Sequence, residues 1–302
     1  MSNRAISWIV FILLCLIWGS SFILMKVSLQ GLTPPQIAGV RIFSAAIVFL
    51  PFALFHFRQV PKARLGIILL TGIFGNLLPA FLFAAAILRI DSSLTGILNS
   101  LTPLCVVVIG IAFFRNRIST RKILGVVVGF IGLCLLSVTQ SGISLANAGY
   151  AGLVLLATVS YGLNVNLVSY YLKGVHPVKA ATISLSFMAL PAGIILYLEG
   201  FMDLDFHNPH VQWSLLNCIL LGVVGSAIAT ALFYILVQKA GGLFASLVTY
   251  GIPFVALGWG FLAGESISWI AILCLLVILT GVFMANWPEQ KKTPAPGETG
   301  AV

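Results

Sequence analysis

Nine side chains able to hold a ligand interrupt stretches otherwise built from Leu, Ile, Val, Ala, Gly and Phe: Trp18, Lys26, Arg41, Asn76, Asn99, Tyr161, Asn164, Tyr234 and Tyr250. The chemistry they suit is binding rather than bond-making. Indole and phenol rings with a few amides and hydroxyls make a wall for a small amphipathic molecule. Lys26 and Arg41, if both face one cavity, attract a carboxylate or a phosphate. Each type also has a structural use: long basic chains snorkel to an interface, Asn joins apolar helices through hydrogen bonds, and aromatic rings fill gaps.

Catalytic chemistry finds less material. All four histidines (His56, His176, His207, His210) fall in expected loops, and no HExxH pattern occurs. An intramembrane hydrolase needs paired carboxylates, a metal set or a nucleophile with a base, so an enzyme is a remote alternative, as is a non-transporting scaffold. Asp203, Asp205, His207 and His210 lie close in sequence, but their spacing matches no standard metal site; a solvated loop is the expectation. The five cysteines sit in apolar runs without CxxC or CxxH spacing and read as small core residues. No metal or other cofactor is expected. Gly72 and Gly75, Gly125 and Gly129, and Gly222 and Gly225 read as close helix contacts; a phosphate-cradling loop would need a strand-to-helix context.

The elements that must position these residues follow from composition. The 302 residues are 60% hydrophobic and 8% charged, with a mean hydropathy of +1.11, against about 25% charged in soluble domains. At roughly 20 residues per crossing, the chain divides into ten apolar runs: about 7–29, 35–55, 65–87, 94–113, 121–138, 149–170, 178–198, 213–236, 244–263 and 268–286. The expected fold is an all-α polytopic membrane protein with the lipid bilayer as partner. The first run is long enough to span and lacks an obvious cleavage site, so it reads as a helix, not a signal peptide. Residues 288–302 are short, polar and rich in Pro and Gly, and are expected to be a disordered cytoplasmic tail.

The net charge of +9 is no nucleic-acid footprint, because the basic residues are scattered over particular loops. With a cytoplasmic N-terminus, inside segments hold Arg4; Arg58, Lys62 and Arg64; Arg115, Arg117, Arg121 and Lys122; Lys173 and Lys179; Lys239; and Lys291 and Lys292. Only Lys26, Arg41 and Arg89 of the 16 basic residues fall elsewhere. This positive-inside pattern puts both termini in the cytoplasm.

The stretch Leu94–Gly110, centred on Pro103, has a cousin 150 residues later, Phe244–Gly260, centred on Pro253. The same offset pairs Gly72 with Gly222, Gly75 with Gly225 and Phe83 with Phe233, while Trp18 and Tyr161, each followed by glycine, hold equivalent places. The expected units are 1–142 and 143–287. Five spans each, an odd number, make the second copy inverted. A proline removes the hydrogen bond to the carbonyl four residues back, freeing those of Asn99 and Thr249. Interrupted helices at matching places in two repeats point to a transporter's binding site, with Pro103 and Pro253 as hinges; a kink that only shapes packing is the simpler alternative.

The chain resembles the EamA-type proteins of the drug/metabolite transporter superfamily over about residues 7–286. The resemblance is carried by Trp18-Gly19-Ser20-Ser21-Phe22 with Lys26, by Arg41-Ile42-Phe43 and by Leu101-Thr102-Pro103. In the second copy it is carried by Ser160-Tyr161-Gly162, Pro253 and Leu262-Ala263-Gly264-Glu265. Where the family often has an acidic residue after span 4, this chain has Arg115-Asn116-Arg117. The resemblance implies export of amino acids or other small metabolites from a cavity between the repeats, in a bacterial inner membrane, by a monomer or weak homodimer. A nucleotide-sugar or sugar-phosphate exchanger is the alternative, and would need a more basic cavity. No Asp, Glu or His is central in an expected span, so the carrier is expected to run as a facilitator or exchanger, or to couple weakly through backbone carbonyls.

Overall fold

A computed structural model describes residues 3–89, 95, 98–140, 148–262 and 269–286. Asp91, Glu265 and the 288–302 tail lie outside the described residues. Regular structure among those described is helical. The first half holds α1 (Asn3–Ser28), α2 (Pro34–Phe57), α3 (Lys62–Gly72), α4 (Leu78–Ile87), α5 (Thr102–Phe114) and α6 (Thr120–Gln140). The second holds α7 (Ala148–Tyr171), α8 (Pro177–Ser186), α9 (Ala189–Leu198), α10 (Pro209–Gly222), α11 (Ala229–Ala240), α12 (Gly242–Ser246), α13 (Val248–Leu262) and α14 (Trp269–Asn286).

Several helix starts are written into the sequence. Pro34, Pro103, Pro177 and Pro209 open α2, α5, α8 and α10, where a missing N–H costs nothing and the fixed φ is already helical. At the head of α2 the Gln36 Oε1 accepts from the Thr33 backbone N at 3.0 Å. The Asn208 side chain accepts from His210 N at 2.9 Å and caps α10, satisfying one of the amides a helix N-terminus leaves open.

Among the described residues six helical rods are long and apolar enough to cross a membrane: Arg4–Ser28, Pro34–Phe57, Lys62–Ile87, Gly149–Tyr171, Pro177–Leu198 and Pro209–Ala240. Shorter apolar helices run over Thr102–Phe114, Gly242–Val255 and Ile272–Ala285. Two of the long rods carry a wider π turn, at Ile73–Leu77 between α3 and α4 and at Val223–Ile228 between α10 and α11. The two turns stand at the 150-residue offset seen in the sequence.

The surface is apolar where a soluble protein's is polar. Phe113 is 80% exposed and Trp269 81%, while small Ala and Ser residues share the interior with Val, Leu and Ile. Lipid tails are as apolar as Leu, so helix association here depends on close packing rather than on hiding side chains from water. The α6–α14 pair shows this. A Cβ on Gly281 would fall on the backbone of Gly125 and Gly129, and one on Gly125 would meet the Gly281 carbonyl and Ala285 N. The two helix backbones touch, and any side chain at these positions forces them apart.

The Gly281→Leu variant is therefore expected to lose about 1–3 kcal/mol or more of stability from overpacking. Gly66→Ala, where an added Cβ meets nothing within 4 Å, is expected to be neutral or better. Melting of both purified variants in detergent, followed by loss of the monodisperse elution peak, checks the contrast; equal melting would mean that the α6–α14 contact is not tight.

Candidate functional site

A central cavity of about 100 Å³ lies among α1, α2, α4, α7, α11, α13 and the two π turns. That is below the ~300–1,000 Å³ of drug-sized ligand sites, so in this conformation it admits only a small occupant. Seven of the nine expected ligand residues line it: Trp18, Arg41, Asn76, Asn99, Tyr161, Asn164 and Tyr234.

The aromatic walls come as two pairs. Trp18 packs on Phe233 with ring centroids 5.3 Å apart, and Tyr161 stacks on Phe83 at 5.9 Å. The Trp18 indole N–H donates to the Gly225 carbonyl at 3.0 Å, inside the second π turn. Arg41 donates through Nε to Ser226 Oγ at 2.8 Å, which fixes the plane of the guanidinium at the cavity edge. Among the described residues no carboxylate is recorded in ion-pair contact with Arg41.

The amides are only partly used. Thr230 Oγ1 donates to Asn76 Oδ1 at 2.9 Å, and the Tyr234 hydroxyl donates to Asn164 Oδ1 at 3.3 Å. Asn76 Nδ2 and Asn99 Oδ1 are buried without a partner. Each unmade bond costs about 1–3 kcal/mol, so the cavity holds one donor and one acceptor whose bonding is incomplete. The Asn99 main-chain carbonyl, freed by Pro103, does find a donor: Thr102 Oγ1 at 2.6 Å.

Two expected ligand residues are not brought to the cavity. Lys26 is exposed at the far end of α1. Tyr250 is fully buried on the other side of α13, where its hydroxyl donates to the Val126 carbonyl at 2.7 Å and its ring packs against Gly129. The expected hinges differ from each other. Pro103 sits in the first turn of α5, just after a turn at 100–101. Pro253 lies inside α13, and the chain breaks earlier, at Leu247.

Other lining residues were visible in the sequence only as marks of the repeat. Gly75, Gly225, Phe83 and Phe233 line the cavity. Their contacts come in exchanged pairs. Trp18 meets Phe233, and Tyr161 meets Phe83. A Cβ on Gly75 would strike the Asn164 amide, and one on Gly225 would meet Ser21. Gly19 abuts Val255 and Gly162 abuts Cys105; Gly72 abuts the Ser184 carbonyl and Gly222 the Arg41 carbonyl. In each couple both partners swap for their counterparts in the other half.

Toward the end of the bundle that carries Arg4, Lys122 and Lys239, hydrogen bonds join α5 to α7 between the cavity and a second pocket. Val165 faces the cavity, while its neighbour Asn166 faces a second, basic pocket. Asn166 Nδ2 donates to the Val106 and Gly162 carbonyls at 3.0 and 2.9 Å, and its Oδ1 accepts from Asn116 at 3.2 Å. Arg115, in the left-handed region at φ 52°, ends α5 and turns the chain so that Asn116 N reaches back to the Gly110 carbonyl at 2.9 Å. Neither asparagine stood out in the sequence.

Tyr250→Phe is expected to cost about 1–3 kcal/mol, since it leaves the buried Val126 carbonyl without the phenol donor. Thermal melting of the purified variant reads this; an unchanged midpoint would show that the phenol does not join α6 to α13.

The chain matches the model of the EamA-like transporter family twice, over residues 5–138 and 149–287. It is 28% identical over 294 residues to the uncharacterized inner membrane transporter YedA of Escherichia coli K12, covering 90% of this chain and 88% of YedA. It is 26% identical over 279 residues to a probable amino-acid metabolite efflux pump of Salmonella typhimurium LT2, covering 91% of this chain and 84% of that protein. A solved crystal structure shares the fold, with a TM-score of 0.70 at 14% identity over 94% of this chain and 97% of that one. Family, apolar surface and membrane-length helices agree: the chain belongs to the EamA-like transporter family and is an integral membrane transporter, not an enzyme.

Proposed function

We propose that this transporter exports amino acids or similar small amphipathic metabolites by alternating access through the central cavity. The reading takes the chain as ten crossings in two inverted five-helix copies, with both termini cytoplasmic and Pro103 and Pro253 as hinges. It places the protein in a bacterial inner membrane as a monomer or weak homodimer. The exchanged contacts support the inverted pair: if residue i of one half touches j of the other, and their counterparts touch in reverse, a two-fold axis relates the halves. With five helices per half that axis lies in the membrane plane, and the cavity sits on it. Opening toward the basic end then requires the Asn116–Asn166 contact and the bonds of Asn166 to α5 to part.

The substrate class rests on one observation, a guanidinium with an unpartnered amide donor and an unpartnered amide acceptor around one small cavity. A carboxylate on Arg41 gains charge-assisted hydrogen bonds. Asn76 Nδ2 can donate to the same carboxylate, and Asn99 Oδ1 can accept from an ammonium. The Trp18–Phe233 and Tyr161–Phe83 pairs flank an apolar substrate side chain. The name of the Salmonella relative points the same way. A nucleotide sugar would bring a diphosphate to a lining with one cation, since Lys26 is exposed elsewhere. No Asp, Glu or His lines the cavity among the described residues, which favours exchange or facilitation over a carboxylate proton switch.

Proteoliposomes loaded with labelled neutral and aromatic amino acids, or with a labelled nucleotide sugar, test the reading. Amino-acid efflux accelerated by external amino acid is the expected result. Arg41→Gln should slow it by about 10–100-fold, the equivalent of a hydrogen bond to a charged group worth about 1.5–3 kcal/mol, and Lys26→Gln should leave it within about twofold. Movement of the nucleotide sugar alone would transfer the assignment to the exchanger reading. Absence of both fluxes would leave the amino-acid assignment without support.

A further inference from the structure

Two cavities meet at Arg4 and Trp8, near the start of α1. The first, of about 690 Å³, is the pocket that Asn166 faces. Arg4, Arg117, Lys122 and Lys239 line it, and no Asp or Glu does among the described residues. The second, of about 600 Å³, is a groove between α1, α13 and α14. Apart from Arg4 its lining is apolar or aromatic, with Phe11, Leu16, Phe254 and Leu279 along its length. Trp8 stands at the junction, edge-on to Phe11 at 5.4 Å and to Phe244 at 5.2 Å.

We propose that the basic pocket and the apolar groove together form a binding site for one anionic phospholipid, with the phosphate among Arg4, Arg117 and Lys239 and an acyl chain along α1. Charge and depth both argue for this occupant. Among the described residues of the pocket lining, a phosphodiester meets several cations and no carboxylate. Clusters of basic residues beside membrane helices attract anionic lipid at about 1 kcal/mol per cation. The groove follows α1 from Arg4 to Leu16, about 18 Å at helical rise, close to one leaflet of a hydrocarbon core about 30 Å thick. A free anion would fill the pocket and leave the groove unused. Trp8 marks the level where tryptophan gathers at the membrane interface. The lipid would join α1 to α13 and α14, and its presence does not depend on which substrate the central cavity carries.

Native mass spectrometry and thermal melting of the purified full-length protein test the site. The probes are phosphatidylglycerol, phosphatidylcholine with the same acyl chains, chain-free glycerophosphoglycerol and inorganic phosphate. Phosphatidylglycerol is expected to bind at least tenfold more tightly than phosphatidylcholine and to raise the melting midpoint. Arg4→Gln with Arg117→Gln should bring the two lipids within about twofold. Arg58→Gln, which removes a charge outside both cavities, should preserve the preference and serves as the folding control. Equal binding of the two lipids by the unaltered protein would overturn the proposal. So would equal stabilisation by inorganic phosphate or by the chain-free headgroup, which would make the pocket a free-anion site.

Discussion

The absence of water from the hydrocarbon core governs this structure. Every polar group carried into it must find a partner inside the protein or line a cavity. Most side chains here obey by local means: Ser21 and Ser28 return their hydroxyls to carbonyls one turn back on α1, at 2.8 Å each, and Asn166 spans from α7 to α5. Lone serine hydroxyls at Ser119, Ser186 and Ser214 are scattered exceptions, but the unpartnered amide atoms among the described residues share one cavity. Asn76 and Asn99 leave amide atoms unpaired, and Arg41 has a hydroxyl as its recorded partner. In a medium that penalises such groups, their convergence on one cavity is the strongest physical sign of where a polar substrate passes.

Close approach of helices makes that cavity possible. Burial of apolar surface provides little net attraction between membrane helices, so backbones must come into contact. Gly72 and Gly222 do this against the carbonyls of Ser184 and Arg41. Just beyond each glycine the helix widens into a π turn. Such turns redirect side chains and free carbonyls within an otherwise regular helix, and here one supplies Asn76 while the other offers Gly225 O to Trp18. The cavity is thus built from matching local irregularities in the two halves.

The basic end follows a second constraint. Long basic side chains can keep charged heads at a polar interface while their apolar stems lie along apolar surface. Arg4 and Trp8 belong to both the polar pocket and the apolar groove. The basic pocket and the apolar groove therefore share structure at the start of α1.

Composition and spacing alone indicated a helical membrane chain with two related halves, while transport as the function came with the resemblance to the EamA-type family and its match over both halves. The helical membrane chain and its related halves follow from one-dimensional features: hydropathy, the 150-residue offset and the placement of charge. They also brought out Trp18, Arg41, Asn76, Asn99, Tyr161, Asn164 and Tyr234, because a polar or aromatic residue in an apolar run is conspicuous wherever it points. Direction was decided only by tertiary packing. Thr249 and Ile252 face the cavity while Tyr250, rotated by about 100° on the same helix, joins α6 instead. Lys26 and Arg41 looked alike as cations near one end, yet only Arg41 lines the cavity. A helix apolar on all sides carries no periodic signal for its inner face, and only the partner helices supply that face.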